Sequence, residues 1–341
     1  MARKESAVIN AYRLLTGEIK HYRANGYNTI PSERALAEKF GVCRVTVRKA
    51  IKKAIACGLL TAEKKIYYIN PDKNKIISNI AFVSWGMGVP FNKVWSRVMF
   101  HLQQTAEKTN FRLKPFLFSF GSKQLFNSDD IFRHNEVIIL THKKNIPFEN
   151  MKNKIIIATD EAFDDGLINI ISIDNYRAGV MAADYLVSCR KRKIACITRD
   201  FGNNYRPFEL RAGGFSERAQ SIGNIKFKVF SIAAATGYNY LEKINRLVPE
   251  LAKNYNGIFI YSDEDMRSIY GFFKNKNYNP EIITLMGSGD LENHHIPIAY
   301  LDHAEKAIAE EIMTAAQTLL DNPSQARIKI LIPPRLHRNL L

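Results

Sequence analysis

Acidic residues are scarce in this chain: 33 Asp or Glu stand against 49 Lys or Arg, a formal net charge of +16. Such an excess suits a polyanionic partner, nucleic acid or an anionic membrane, so the placement of the charge has to decide between them. Cysteine is nearly absent as well. Cys43, Cys57, Cys189 and Cys196 form no C-x-x-C pair and keep no metal-ligand spacing with histidine. That excludes a disulfide framework, argues against a zinc site, and reads as reduced thiols in a cytoplasmic protein. No apolar run approaches the roughly 18 residues of a membrane span, and Met1-Ala2-Arg3-Lys4-Glu5 leads into an amphipathic helix rather than an export signal. No membrane partner is expected. Neither a G-x-G-x-x-G nor a Walker spacing occurs, so nothing in the chain announces a nucleotide cradle and no cofactor is expected.

What is present is ordinary globular material, 46% hydrophobic and 24% charged over 341 residues, enough for more than one core. The charge is concentrated at the front. Residues 1 to 75 hold 16 Lys or Arg and 6 Asp or Glu, a net +10, which leaves +6 for the remaining 266.

Within that basic front, Ile30 to Ile51 predicts two helices joined by a tight turn. Ser32 after Pro31 suits an N-cap, Glu33 suits the positive end of the helix dipole, and Gly41 supplies a left-handed stop. Ala35 stands where a capping box needs Glu, so no such box forms. In the second helix Val47, Ala50, Ile51, Ala54 and Ile55 share one face, while Arg44, Arg48 and Lys52 form a second stripe. A basic stripe on its own is usually a solvated helix face. A recognition helix, however, presents its first residues to base edges in the major groove, and here these are Arg44, Thr46 and Arg48. Arginine can bond guanine O6 and N7 together, and a threonine methyl can touch thymine.

An amphipathic helix from about Glu5 to Asn25 precedes this pair, and Leu59 to Ala62 with Ile66 to Ile69 predicts a short hairpin after it. Lys64 and Lys65 fall at the hairpin tip, where they would approach phosphates. Pro31-Ser32-Glu33-Arg34 followed by Val42-Cys43-Arg44-Val45-Thr46-Val47-Arg48 resembles the winged helix-turn-helix of GntR-type transcription regulators, whose pattern is P-S-E-R and then V-S-R-x-T-V-R. The resemblance covers about the first fifth of the chain. It implies that Arg34, Arg44, Thr46 and Arg48 contact double-stranded operator DNA. Cys43 replaces the usual serine, and Glu63-Lys64-Lys65 replaces the glycines of the family's wing.

After the break Asn70-Pro71-Asp72-Lys73-Asn74-Lys75, short β-rich runs alternate with helical patterns, which predicts parallel sheets covered by helices. The remaining length exceeds one compact core, so two doubly wound α/β lobes with a cleft are expected. The expected division is a winged helix-turn-helix at residues 1–70, a linker at 71–78, and an effector-binding and dimerisation domain at 79–341. Ligands bind beyond the carboxyl ends of strands in such sheets. That rule singles out Trp85, Phe91, Asn92, Asp174, the run after Thr198, Asp263, and Gly287 to Asp290.

The order of elements is similar to the LacI/GalR regulators and the periplasmic sugar-binding proteins. Ile173-Asp174-Asn175-Tyr176-Arg177-Ala178-Gly179 resembles their V-D-N-x-x-A-G, and Arg211-Ala212-Gly213-Gly214-Phe215 their R-x-x-G-F. Tyr261-Ser262-Asp263 falls where A-N-D is usual. The last carboxylate of their pattern falls on Gly289, or on Asp290 with a one-residue shift. By this resemblance Arg211 and Asp263 hold the effector and Asp174 supports them, a fork donor and a two-oxygen acceptor for adjacent sugar hydroxyls. Trp85 and Phe91 could stack on a sugar ring, or simply pack.

The pairing of the two parts looks like the arabinose-repressor arrangement. It implies a homodimeric repressor controlled by a monosaccharide. Two other readings remain open at this stage: a sensor of a non-sugar ligand such as a nucleobase, because Ser262 and Gly289 depart from the sugar pattern, and an enzyme acting on a sugar. Asp263-Glu264-Asp265 could serve hydrolysis but is more simply a helix start, and His294-His295 reads as a surface loop rather than a metal site.

Overall fold

The computed structural model describes residues 2–56, 58–63, 66–70, 78–85, 93–109, 111–118, 131–132, 134–141, 154–159, 161, 168–200, 206–233, 237–261, 266–286, 298–322 and 325–338. It divides into two compact units, Met1–Ser78 with Thr109–Arg112, and Asn79–Lys108 with Leu113–Leu341.

The first unit is built from α1 (Ala2–Ala24), α2 (Glu33–Phe40), α3 (Arg44–Ala56) and the hairpin β1 (Leu60–Glu63) and β2 (Ile66–Ile69). The expected caps are in place. Ser32 Oγ accepts the Ala35 amide at 3.4 Å, and Gly41 ends α2 at φ 64°, a left-handed conformation that costs glycine nothing. Ala11, Leu15 and Ile19 of α1 meet Leu36 of α2 and Val47, Ala50, Ile51 and Ala54 of α3 in one core, closed below by Leu59, Leu60 and Ile69. Burying that face leaves Arg44, Arg48 and Lys52 exposed on the opposite side of α3. β1 and β2 pair antiparallel from Leu60 against Ile69 to Glu63 against Ile66.

In the second unit the chain forms β3 (Ser78–Trp85), α4 (Lys93–Glu107), β4 (Phe111–Phe118), β5 (Val137–Leu140), β6 (Ile155–Ala158) and β7 (Asn169–Ile173). It continues through α5 (Asn175–Ser188), β8 (Lys193–Asp200), α6 (Arg206–Ile222), β9 (Lys226–Ala233), α7 (Gly237–Asn254), β10 (Gly257–Ile260), α8 (Met266–Asn275), β11 (Glu281–Met286) and β12 (Ala299–Asp302). α9 (Glu305–Asp321), β13 (Lys329–Ile332) and β14 (Leu336–His337) close it.

These strands make two six-stranded sheets, ordered β13-β7-β6-β5-β3-β4 and β14-β12-β11-β10-β8-β9. The pairings of β3, β5, β6, β7 and β13 are parallel, as are those of β8 to β12, while β14 runs antiparallel to β12. Central strands covered on both faces need unbroken apolar sequence, and β5 (VIIL) and β10 (GIFI) are buried at every position.

Among the described elements the chain passes between the two lobes three times. β7 belongs to the first sheet, yet α5, which follows at once, packs on β10 and β11 of the second. β12 belongs to the second sheet, yet α9 packs on α4, β6 and β7 of the first. β13 then joins the first sheet and β14 the second. A helix in a parallel α/β layer runs against its strands, so the starts of α5 and α9 lie at the carboxyl ends of the strands they cover. The carboxyl ends of both sheets therefore face the same three crossings. Hydrogen bonds tie the crossings together: Asp174 N–H donates to Ile332 O at 2.8 Å, and Asp302 N–H donates to Arg335 O at 3.0 Å.

The sequence pattern does not mark β12, α9 or β14 as elements. Among the described residues no helix is long and apolar enough to cross a membrane.

Candidate functional site

Two surfaces carry the chemistry that the sequence singled out, one in each unit. On the first unit, Arg44 and Arg48 keep 61% and 53% of their side-chain surface exposed at the start of α3, next to Val45, itself 60% exposed. Arg34 is exposed on the first turn of α2. Thr46 is half-buried, with its hydroxyl 3.2 Å from Cys43 Sγ, so this pair occupies the start of the helix where a serine cap is usual. The Thr46 hydroxyl and nearby backbone N–H groups hold the Cys43 thiol below its ordinary pKa.

An acidic group that the sequence reading had assigned to the helix dipole sits amid these cations. Arg48 Nε donates to both Glu33 oxygens at 3.0 and 3.1 Å and Nη2 donates to Oε2 at 2.7 Å, while the Tyr67 hydroxyl of β2 donates to Oε1 at 2.9 Å. Arg44 Nη2 lies 3.8 Å from the same carboxylate. The hydrogen bond from Arg48 leads in holding the Glu33 carboxyl below its ordinary range. Lys64 and Lys65 lie outside the described residues.

On the second unit the crossings carry a buried polar chain. Glu161, which follows β6, accepts from Asn175 Nδ2 at 2.8 Å; Asn175 Oδ1 accepts from Arg211 Nε at 2.8 Å; and Arg211 Nη1 donates to Tyr261 O, just past β10, at 3.0 Å. Glu161, Asn175 and Arg211 are 5%, 2% and 7% exposed, so the chain is one of charge-assisted bonds at low dielectric. It links the carboxyl end of a strand in one lobe to that of a strand in the other.

The sequence places Arg211 here through two glycines. α5 and α6 pack so closely that a Cβ at Gly179 would lie 2.0 Å from Arg211 O, and one at Gly214 would lie 2.1 Å from Tyr176 O. Asp174 caps α5, accepting the Arg177 amide at 2.8 Å. The Arg211 guanidinium also lies 5.4 Å from the Phe208 ring centre, and Phe208 and Tyr261 meet edge to face at 4.6 Å.

Two further groups at the crossings had no signature in the sequence. Arg97 of α4 reaches Glu305, the first residue of α9, at 3.7 Å, and Glu305 is 1% exposed. His303 lies between β12 and α9 with its pKa held well below the usual imidazole value, first by desolvation and then by the charges of Arg211 and Arg97. Both arginines therefore act on one neutral imidazole. Trp85 ends β3 at the expected carboxyl end of a strand; its side chain, and Phe91, Asn92, Asp263 and Asp290 altogether, lie outside the described residues. Among the described residues no group of three or more His, Cys, Asp or Glu could hold a metal ion.

Residues 10–66 match the family model of bacterial regulatory proteins of the gntR family. No curated protein sequence gives a significant match. Among solved structures, the second unit's fold is shared with a probable maltose operon transcriptional repressor from Staphylococcus aureus, at a TM-score of 0.65 and 17% identity over 77% of this chain and 97% of that one. The Cra transcriptional dual regulator of Pseudomonas putida, in complex with fructose 1-phosphate, aligns at 0.62 and 16% identity, covering 77% and 99%. A periplasmic binding protein/LacI transcriptional regulator from Alkaliphilus metalliredigens, complexed with D-xylulofuranose, aligns at 0.62 and 18%, covering 76% and 97%. The chain is thus a DNA-binding transcription regulator of composite build, a gntR-family helix-turn-helix head followed by a body with the fold of the LacI regulators.

Proposed function

We propose that this regulator is a homodimeric repressor whose affinity for operator DNA is lowered by a monosaccharide bound where the three crossings meet. The head comprises residues 1–70 and the body residues 79–341, with 71–78 as linker. Arg34, Arg44, Thr46 and Arg48 contact the operator, and Lys64 and Lys65 add phosphate contacts that carry no sequence information. Arg211, Asp174, Asp263 and Asp290 bind or support the sugar, with Trp85, Phe91 and Asn92 beside it.

The observation that carries this reading is the buried chain Glu161–Asn175–Arg211–Tyr261, which runs from one lobe to the other across a crossing segment. A ligand that engages Arg211 competes for or completes those bonds, and so favours one arrangement of the lobes by as much as its affinities for the two arrangements differ. The sugars in complex with two regulators of the same fold, fructose 1-phosphate and D-xylulofuranose, support the effector class. A dimer follows from DNA geometry, since two heads on a two-fold axis read two half-sites and gain affinity and register from each other.

A melting screen of the full-length protein against monosaccharides and purines tests the effector class. A saturating ligand at about a hundred times its dissociation constant adds roughly 2.7 kcal/mol of stability. Stabilisation by a sugar is the expected result. A shift produced by purines alone transfers the reading to a nucleobase sensor, and consumption of the stabilising sugar overturns the purely regulatory one.

A further inference from the structure

We propose that Glu33 is a positioning residue for base reading: it grips one edge of the Arg48 guanidinium and leaves the other edge aimed outward to meet a guanine. The inference rests on the reading that α3 enters the major groove. It starts from a conflict, because a carboxylate on a surface meant for phosphates weakens every DNA complex through charge alone. Glu33 is nevertheless built in. It stands on the first turn of α2, keeps 12% of its side-chain surface exposed, and is held by a hydroxyl from β2 as well as by Arg48.

The hydrogen-bond inventory of Arg48 explains what such a carboxylate achieves. Of the five N–H bonds of a guanidinium, Nε–H and one on Nη2 point to Glu33, at 3.0 and 3.1 Å from Nε and 2.7 Å from Nη2. The end edge keeps one N–H on Nη1 and the second on Nη2, parallel to each other, which is the pair that bonds O6 and N7 of guanine. Among the described residues that edge takes no partner, and the Arg48 side chain is 53% exposed.

A long side chain fixed in one rotamer before binding loses less freedom on binding, and only one base presents two acceptors to that edge. Arg44 contrasts with it. Its nearest atom lies 3.8 Å from Glu33 and its side chain is 61% exposed, so it keeps the freedom to follow phosphate or base. Tyr67 extends the device to the hairpin, since its hydroxyl holds the Glu33 oxygen that also receives Arg48 Nε.

The test uses full-length protein and a duplex selected by the wild type from a random pool, with a scrambled duplex of equal length at the same salt. Each guanine of the half-site is replaced in turn by 7-deazaguanine, which lacks the N7 acceptor. In the wild type one such replacement costs about tenfold in affinity, and in Arg48→Ala that cost disappears. Glu33→Gln keeps the shape and loses the grip. It is expected to weaken the selected duplex about tenfold and shrink the 7-deazaguanine penalty, while scrambled DNA binds as tightly or more tightly because a negative charge has gone. Tyr67→Phe moves the same readouts in the same direction by about two- to threefold, and melting of each variant separates misfolding from loss of grip.

Equal losses on selected and scrambled duplex in folded Glu33→Gln overturn the proposal, as does an Arg48→Ala variant that keeps every 7-deazaguanine penalty the wild type shows. If the wild type enriches no duplex from the pool, the reading of the head itself fails, an outcome distinct from both.

Discussion

The carbonyl oxygen of Arg211 occupies the space where a side chain on Gly179 would begin, 2.0 Å from the position of an added Cβ. Close passage of α5 over α6 thus depends on an absent methyl group, and that passage brings the Arg211 guanidinium within 2.8 Å of Asn175. Gly179→Ala forces backbone apart and is expected to destabilise the body by about 1–3 kcal/mol, with Gly214→Ala behaving alike. Gly213, one residue away on α6, has nothing within 4 Å of its added Cβ. Gly213→Ala should therefore stabilise the protein, by up to about 1 kcal/mol, because alanine favours a helix interior. Urea unfolding of the three variants checks the ordering, and equal effects at Gly179 and Gly213 contradict it.

Removing Arg211 takes a charged donor away from Asn175 Oδ1 and from the Tyr261 carbonyl in a buried site. Arg211→Ala should cost about 3 kcal/mol in stability and abolish the thermal shift given by the effector, while operator affinity at low temperature is retained. Arg211→Lys, which keeps the charge but not the fork, should recover part of the stability and little of the ligand response. A full ligand shift in Arg211→Ala removes this residue from the site.

Cys43 is exposed and its thiol is lowered by the Thr46 hydroxyl, whereas Cys196 is buried in β8 and pushed up to about 12 by desolvation. Brief iodoacetamide treatment near neutral pH should label Cys43 in the native protein and leave Cys196 untouched until unfolding, as peptide mass mapping will show. Bound operator should protect Cys43, because it immediately precedes Arg44 at the start of α3. Undiminished labelling in the complex places the DNA elsewhere.

Base contacts and phosphate contacts fail in different ways. Arg44→Ala is expected to cost about 1–3 kcal/mol on the preferred duplex and to relax base preference at one position. Lys65→Ala should weaken preferred and random duplexes equally and reduce the slope of log affinity against log salt by about 1. Fluorescence anisotropy over a salt series separates the two patterns.

Much of this was legible in the residues. The caps at Ser32 and Gly41 and the apolar stripe from Val47 to Ala54 rest on local chemistry, and local chemistry is what sequence displays. The runs VIIL and GIFI belong to the short β-rich stretches that predicted parallel strands, and burial on both faces is what leaves no polar position in them. Arg211 and Asp174 were named by the resemblance to V-D-N-x-x-A-G and R-x-x-G-F, and the fold puts Asp174 at the cap of α5 and Arg211 in contact with Asn175 beside it.

The partners at the crossings stayed hidden for a different reason. Glu161 meets Asn175 across 14 residues and Tyr261 meets Arg211 across 50, distances that only the tertiary fold closes. The short strand Ala299–Asp302, buried at three of four positions but carrying Tyr300 and Asp302, has too little apolar pattern to stand out. Missing it also concealed His303 and the start of α9. Glu33 was seen, but as a dipole partner; its three bonds from α3 could not be read from its own helix.

Operator affinity measured by anisotropy with and without each member of a monosaccharide panel tests the central claim most directly. The account predicts one duplex bound in preference to scrambled DNA, and one sugar that lowers that affinity about tenfold or more, an effect absent from Arg211→Ala. Operator binding that no sugar alters, in a protein whose melting the same sugars leave unmoved, would contradict it.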